Sequence, residues 1–413
     1  MLYLNQCGIL CALGNDLPTV KARLLQDGIS GLRHTDQFSA PATLALGVVE
    51  AELPSMAHWP LALQSRNNRM ALAALAQIRP AVDAAIAQYG ADRVAVIIGT
   101  STSGIDCSER ALAAQLASGQ LPPGYHYAQQ EMGSIAEMLA QELGTFGPAW
   151  VHSSACSSSA KAMASAARLL QMGLADAVLT GGVDTLCRFT VAGFSALESV
   201  SSAPCQPLSA NRNGINIGEA AVLFLMSREK STVALLGWGE SSDGHHMSAP
   251  DPQGGGARLA ILQALERAKL QPQQIDYINL HGTATVQNDA MESRVVADLF
   301  GLETPCSSTK PFTGHTLGAA AALEAAFCWL ALQDEAGRWP PHLWDGAPDP
   351  ALPRLRLVPP PGADNAEKLS GGEPSGGEPS GGAPSGGAPL RTALSNSFAF
   401  GGSNACLIFG SMA

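Results

Sequence analysis

Residues 151–160, Val-His-Ser-Ser-Ala-Cys-Ser-Ser-Ser-Ala, place a potential nucleophile at a sharp change of structure. An apolar segment stops, Cys156 stands at the corner, and small residues lead into a helix-forming run that reaches Gln171. A thiol at a helix N-terminus faces unpaired backbone N–H groups and the positive end of the dipole, which favours the thiolate. Ala155, Ser157, Ser158 and Ala160 are small enough to let a substrate approach. Free cysteine is also among the most buried residue types, so a plain core position is the competing reading. Three further stretches bear on the choice. Residues 277–285 (YINLHGTAT) form an apolar strand ending in His281. Residues 307–318 (SSTKPFTGHTLG) carry Lys310 and His315 ahead of an Ala-rich helix. Residues 396–404 (NSFAFGGSN) close the chain with a glycine turn between two apolar segments.

The elements that must position these residues alternate between strand and helix. Residues 93–98 and 177–182 are continuous apolar runs of the kind buried on both faces of a sheet, and 220–226 is a third. Helices are predicted over 68–78, with Pro80 either kinking it or opening a second helix to 88, and over 134–143. From residue 231 the pattern restarts: strand 233–237, helix 257–268, strand 275–280, helix 289–300. The strand-corner-helix layout of 150–171 is repeated at 306–332, with Cys156 near the start of one helix and His315 near the start of the other. This reads as an internal duplication. It predicts two halves, 1–230 with the cysteine and 231–413 with both histidines, as helices around largely parallel sheets. Four tandem SGG[EA]P units within 370–389 stand apart. Their composition predicts a solvated, disordered loop between strand-like segments 354–358 and 392–398.

Composition limits the function classes. A chain of 413 residues that is 46% hydrophobic and only 14% charged has ample material for a large buried core. Its net charge of −11 argues against a nucleic-acid partner. Nine scattered cysteines without a C-x-x-C pair fit a reducing compartment, and Cys7 and Cys11 read as core residues and not zinc ligands. The N-terminus has no basic n-region, and no uninterrupted apolar run reaches the ~18 residues of a membrane span. A cytoplasmic protein without a metal site is therefore expected.

Together, the four motif stretches in this order resemble the β-ketoacyl-(acyl carrier protein) synthases. The resemblance runs over the whole chain except the repeat segment. It implies the thiolase-like five-layered α-β-α-β-α fold with two pseudo-duplicated halves. It also implies decarboxylative condensation of an acyl-Cys156 thioester with a malonyl unit on acyl carrier protein. By the same resemblance the backbone N–H groups of Cys156 and Phe400 form an oxyanion hole, and His281 and His315 are neutral donors to the enolate. Lys310 and Glu292 are expected to pair and tie the two histidine loops together. Thr283, Thr285, Thr313, Phe398, Ala399 and Gly401 are expected along the pantetheine arm and its gate. No cofactor is implied beyond the phosphopantetheine carried by the acyl carrier protein.

Some residues depart from the family pattern. Asn211-Arg212-Asn213-Gly214 stands where many relatives carry Arg-Asp-Gly, and Ala399 stands where glycine is usual. The LHGTAT stretch and the Arg66-Asn67-Asn68-Arg69 helix start look like the synthases of aryl-polyene pathways. An acidic carrier protein needs a local basic patch on this acidic chain, and Arg66, Arg69 and Arg212 are the candidates. Relatives are dimers, so a homodimer is expected, with a heterodimer as the alternative. Two other functions share this fold: a non-catalytic partner subunit, and a thiolase that uses a second cysteine such as Cys406. The nucleophile with both histidines speaks against the first. The Lys310–His315 motif and the apolar strand around Cys406 speak against the second.

Overall fold

The computed structural model describes residues 1–362 and 389–412. The SGG[EA]P units therefore lie outside the described residues, apart from Pro389. In the first half, chain order is β1 (Leu2–Leu10), α1 (Leu17–Ala22), the small hairpin β2 (Arg33–Thr35) and β3 (Leu44–Leu46), and α2 (Arg66–Tyr89). Next come β4 (Val94–Gly99), α3 (Ile105–Ser118), α4 (Ser134–Leu143), β5 (Ala149–His152), α5 (Ser158–Gln171), β6 (Ala177–Asp184), α6 (Arg188–Ala196) and β7 (Ala220–Ser227). The second half runs β8 (Val233–Ser242), α7 (Gly255–Ala268), β9 (Tyr277–Asn279), α8 (Val286–Phe300) and β10 (Cys306–Ser307). It ends with α9 (Lys310–Thr313), α10 (Ala320–Ala331), β11 (Thr392–Ala399) and β12 (Ser403–Ser411).

The duplication is visible in the strand order, β10-β9-β11-β12-β8-β1-β7-β6-β4-β5. Two five-stranded blocks meet where β1 pairs with β8 through Leu2↔Leu235 and Tyr3↔Ala234 alone. The block β5-β4-β6-β7-β1 has the same pattern as β10-β9-β11-β12-β8: two parallel pairings, then two antiparallel ones. The sheets are thus mixed rather than largely parallel. In the second block the reason is plain, because three residues, Phe400–Gly402, join β11 to β12. A parallel connection needs a crossover of a dozen residues or more.

Three apolar clusters mark the layers. One packs α2 and α4 on the outer face of the first block through Met70, Ala74, Ile78, Ile135 and Leu139. Another packs α7 and α8 on the second block through Ala260, Ile261, Ala264, Met291 and Val295. The largest lies between the blocks, where Ala160, Met163 and Ala167 of α5 meet Ala322, Leu323 and Phe327 of α10. This is the five-layered arrangement. The two central helices approach so closely that the Ala322 N–H donates to Ser159 Oγ at 2.9 Å. A Cβ on Gly182 would sit 2.6 Å from Ser159 Cβ and 3.0 Å from Ala319 Cα. Small residues at this seam are a packing requirement.

Element boundaries differ from the sequence expectation in two places. α2 continues through Pro80 as one helix of 24 residues. Pro80 and Ala76 are both exposed, so the carbonyl that Pro80 leaves unpaired faces water. Residues 354–358 make a single bridge, Leu357 to Cys306, and no strand. α2 is also long and apolar enough, by length and mean hydropathy, to cross a membrane. Its apolar face is instead packed against β1, β6 and β7, and Arg66, Arg69, Arg79 and Asp83 punctuate it.

A strap after α10 braces the loops at the ends of β9 and β10. His342 Nδ1 accepts from the Ser308 N–H at 3.0 Å, and its Nε2 donates to the Pro207 carbonyl at 3.0 Å. The Ser308 hydroxyl donates in turn to the Gly282 carbonyl at 2.7 Å. Burial lowers the His342 pKa from 6.5 to about 4. The folded state therefore refuses a proton that the unfolded chain accepts below about 6.5, and stability from this residue is lost as pH falls through that window. At pH 5 the loss is about 2 kcal/mol, taking 1.36 kcal/mol per unit. Between pH 7 and 5 the unfolding free energy of the wild type should drop about 2 kcal/mol more than that of His342→Asn. Urea melts at both pH values measure it, and parallel pH dependences would count against the assignment.

Candidate active site

Cys156 sits between β5 and α5 on a turn that the sequence around it locks. Ala155 adopts φ +50, a left-handed conformation that costs an ordinary residue about 1 kcal/mol. Serines hold it there: Ser158 Oγ donates to the Ala155 carbonyl at 2.6 Å and accepts from the Ser154 N–H at 2.9 Å. Ser157 Oγ donates to the Ser154 carbonyl at 2.9 Å. The turn places the sulfur in the interior, where Cys156 is 5% exposed. Burial pushes the thiol up to about 11, against the opposing pull of the Lys310 charge and the Phe400 backbone N–H. The expectation of a thiolate favoured by the helix N-terminus is thus corrected: desolvation outweighs the positive groups around the sulfur. The thiol needs a base. His315 Nε2 lies 2.9 Å from Cys156 Sγ.

His315 follows β10 and the one-turn helix α9. Its backbone is bridged to Ile217, with its N–H on the Asn216 carbonyl at 2.7 Å and its carbonyl accepting from Gly218 at 2.9 Å. His281 leaves the end of β9. The two rings stand 5.3 Å apart and nearly perpendicular, and both residues are 2% exposed. Reactive atoms of Cys156, His281 and His315 all lie within 4.8 Å of one another. Burial, and then the Lys310 charge, hold both imidazoles well below the usual histidine range, so both are neutral near pH 7.

The expected Lys310–Glu292 pair is not formed. Lys310 Nζ pairs with Glu324 Oε1 at 2.5 Å and lies 3.4 Å from His281 Nδ1. An ammonium can only donate, so Nδ1 is the acceptor and the His281 proton resides on Nε2. Glu292 instead anchors the backbone: its carboxylate accepts the N–H groups of His281 at 2.8 Å and Gly282 at 2.7 Å, and the Asn396 amide at 3.1 Å. A helical carboxylate one turn below a strand end reaches backbone donors more directly than an ammonium on another loop. Glu324 was missed by sequence reasoning. Its signal was available as the one charged residue in the otherwise apolar α10. Burial raises its carboxyl to about 7 even with Lys310 attached.

A cavity of about 160 Å³ opens onto these groups. Cys156, His281 and His315 form its floor, and Thr283, Thr285, Phe398, Ala399 and Phe400 form much of its wall. Thr283 and Thr285 share a hydroxyl contact of 2.9 Å. Phe194 and residues 248–250 also line it and had no signal in the sequence reading. The Phe400 ring rests on Phe194 with centroids 5.6 Å apart, and the Phe398 ring lies 6.1 Å from His281. Ala399 is extended at φ −97, where its methyl group meets no backbone strain. Gly401 and Gly402 have φ +78 and +70, and the Gly401 N–H donates to the Met247 carbonyl at 2.8 Å. Thr313 is not on the cavity: it is buried in the turn at α9, and its hydroxyl donates to the Gly314 carbonyl at 3.0 Å.

The three proposed docking arginines fare differently. Arg66 makes a two-pronged bond to the buried Glu219 at 2.6 and 3.1 Å. Arg212 is tied to Asp349 at 2.6 Å with its side chain 6% exposed. Neither is free to meet an acidic partner, because each balances a carboxylate inside the fold. Arg69 donates to the carbonyls of Leu53 and Pro54 and forms no ion pair among the described residues. As for metals, one thiol and two imidazoles could in principle ligate a soft cation. The ammonium 3.4 Å from His281 opposes any divalent ion there.

Comparison with known proteins matches this geometry to a family. Residues 61–231 match the family model of the β-ketoacyl synthase N-terminal domain, and residues 233–343 that of its C-terminal domain. The 3-oxoacyl-[acyl-carrier-protein] synthase 2 of Staphylococcus aureus is 28% identical, covering 97% of this chain and 98% of that protein. A chain of the structure of the ketosynthase ApeO in complex with its chain length factor ApeC, from Xenorhabdus doucetiae, superposes with a TM-score of 0.88. It is 44% identical, covering 99% of this chain and 98% of that one. The structure of the ishigamide ketosynthase/chain length factor matches at 25% identity and a TM-score of 0.84, covering 100% and 99%. A cysteine at the end of β5, opposed by two histidines and a buried Lys–Glu pair on a duplicated fold, is thus part of a known architecture: the chain belongs to the β-ketoacyl synthase family.

Proposed function

We propose that this chain is a 3-oxoacyl-[acyl-carrier-protein] synthase that joins an acyl group on Cys156 to the two-carbon unit of a malonyl thioester. The observation that carries the reading is the 2.9 Å contact of a buried thiol with a neutral imidazole, beside a second imidazole whose tautomer an ammonium fixes. In the first half-reaction His315 takes the thiol proton as sulfur attacks the acyl thioester. The carrier thiolate leaves and receives that proton. In the second, the C–C bond to the malonyl carboxylate breaks, CO₂ departs and the electron pair stays on C2. His281 presents Nε2–H to the thioester oxygen, where the enolate charge develops. The enolate carbon attacks acyl-Cys156, and the oxyanion faces the N–H groups of Cys156 and Phe400. Collapse expels the Cys156 thiolate, which takes up one solvent proton by way of His315.

The chemistry calls for no cofactor beyond the phosphopantetheine that carries both substrates, and acyl carrier protein is the partner assigned. The 44% identity to a chain of the ApeO–ApeC complex, against 28% to the staphylococcal synthase, supports a specialised aryl-polyene-type branch and a heterodimer with a chain-length-factor subunit. All nine cysteines are unpaired and buried, which supports a reducing compartment, and we assign the cytoplasm.

Two sets of variants test the reading. Cys156→Ala should fold normally and accept no acyl group, seen as the absence of an acyl mass adduct. His281→Ala should slow CO₂ release from malonyl carrier by about 10²–10³ while loading changes little. His315→Ala should slow loading as well, because of the two imidazoles it is the His315 ring that contacts the sulfur. Equal loading defects in both histidine variants would remove this division of roles.

The ion pair yields a separate outcome. Lys310 and Glu324 are nearly fully buried, so Lys310→Met should destabilise the fold by about 3–5 kcal/mol by leaving the carboxylate unpaired. Adding Glu324→Leu should restore most of the stability but not decarboxylation, since the donor to His281 Nδ1 is still missing. Thermal melts and CO₂ release measured on both variants separate stability from tautomer control. Recovery of both together would place Lys310 outside the chemistry.

A further inference from the structure

Asp184, at the last position of β6, is fully buried and forms no ion pair among the described residues. Its carboxylate accepts from Thr100 Oγ1 at 2.6 Å, Ser101 N at 2.8 Å and Oγ at 2.5 Å, and Thr102 N at 3.0 Å and Oγ1 at 2.9 Å. Those donors belong to the turn after β4. One donor comes from the other half of the molecule: the Gly318 N–H, 2.6 Å from Asp184 Oδ2. Gly318 lies three residues beyond His315, just after Leu317, which is held at φ +53.

His315 lacks the usual means of fixing an imidazole. Its Nδ1 is buried without a hydrogen-bond partner among the described residues, so no contact on that nitrogen sets the ring. Its orientation depends on the backbone at either side. The N–H and the carbonyl of His315 itself are held by the bridge to Ile217. The following side is held by Asp184. We infer that Asp184 is a positioning residue for His315, clamping residues 316–318 to the turn after β4 so that Nε2 stays on the Cys156 sulfur. The inference rests on the role of His315 proposed for the condensation.

The chemistry of the clamp predicts why asparagine cannot replace it. Both carboxylate oxygens face backbone N–H groups, Oδ1 those of Ser101 and Thr102 and Oδ2 that of Gly318. An amide has one acceptor oxygen, so its NH₂ must oppose one of these donors whichever way it turns. Either the turn after β4 is released, or the His315 loop keeps only the longer contact of the Gly318 N–H to Ser101 Oγ at 3.2 Å. A methyl group on Gly318 pushes the His315 loop off the turn after β4, since its Cβ would sit 2.7 Å from Asp184 Oδ2, 2.8 Å from Ser101 N and 3.0 Å from the Thr100 carbonyl carbon.

The test is a double-mutant cycle on acyl loading of Cys156 from acyl carrier, the step in which His315 takes the thiol proton, with kcat and KM measured separately. Asp184→Asn and Gly318→Ala should each lower kcat about 10–100-fold, the loss expected from displacing a catalytic group by about 1 Å. KM should stay within about threefold, because the cavity wall at Thr283 and Thr285 is untouched. The double variant should lose no more than the worse single variant, since both remove one contact. Losses that multiply, or a rise in KM in place of the fall in kcat, would overturn the clamp. If Asp184→Asn does not fold, Gly318→Ala decides alone: a normal melting temperature with wild-type kcat sinks the proposal. A wild-type protein that releases no CO₂ would instead count against the condensation reading itself.

Discussion

The site depends on one contact between two halves of a duplicated chain: a thiol and an imidazole 2.9 Å apart, 159 residues apart in sequence. Neither half contains it. The sulfur is carried by the start of α5 and the imidazole by the loop before α10, and these two helices pack against each other between the sheets. The contact is thus only as precise as that packing. Glycine, alanine and serine at Gly182, Ser159, Ala319 and Ala322 let the helices approach to hydrogen-bond distance. A larger side chain at the seam would separate the halves of the site before it disturbed either half alone.

Burial at this seam acts on the acid–base groups in opposite senses. It disfavours every charged form, so it raises the thiol to about 11 and holds both imidazoles neutral. A resting thiolate–imidazolium pair is therefore not the ground state. Proton transfer must accompany attack on the thioester, which makes the geometry of His315 more important than its basicity. The same desolvation strengthens the hydrogen bond that His281 is proposed to offer to a developing enolate. Lys310 is tolerated in this interior because Glu324 neutralises it, and its remaining contact orients His281. The two histidines are alike in sequence context but unlike in support: one is set through its ring nitrogen, the other through its backbone.

Much of this was readable from residue types because the chemistry sits at strand ends, where apolar runs stop at conspicuous polar residues. Cys156, His281 and His315 stand out for that reason, and the repeated strand-corner-helix layout exposed the duplication. What could not be read was pairing between distant side chains. Glu292 and Glu324 are both buried carboxylates on helices near Lys310, and nothing in their spacing says which one the ammonium meets. Arg66 and Arg212 looked like free surface charges because Glu219 and Asp349 lie 153 and 137 residues away from them. The antiparallel central strands were hidden too, since an apolar run buried on both faces has no direction of its own.

The duplicated blocks also explain how two kinds of chemistry came to share one cavity. Equivalent strands end at the same level: β5 and β10 lead to Cys156 and to the Lys310–His315 loop, β4 and β9 to the Thr100–Thr102 turn and to His281, and β6 and β11 to Asp184 and to Phe400. The symmetry brings six strand ends together, but the residues on them have diverged. One half supplies the nucleophile and a buried carboxylate that accepts hydrogen bonds. The other supplies two imidazoles, a cation and an N–H directed at the sulfur. Bonds across the seam such as Gly318 N–H to Asp184 run directly between the halves, with no ion between them. The fold thereby uses its own pseudo-symmetry to hold the Cys156 sulfur and the two imidazoles at fixed distances, with Phe400 on the cavity wall.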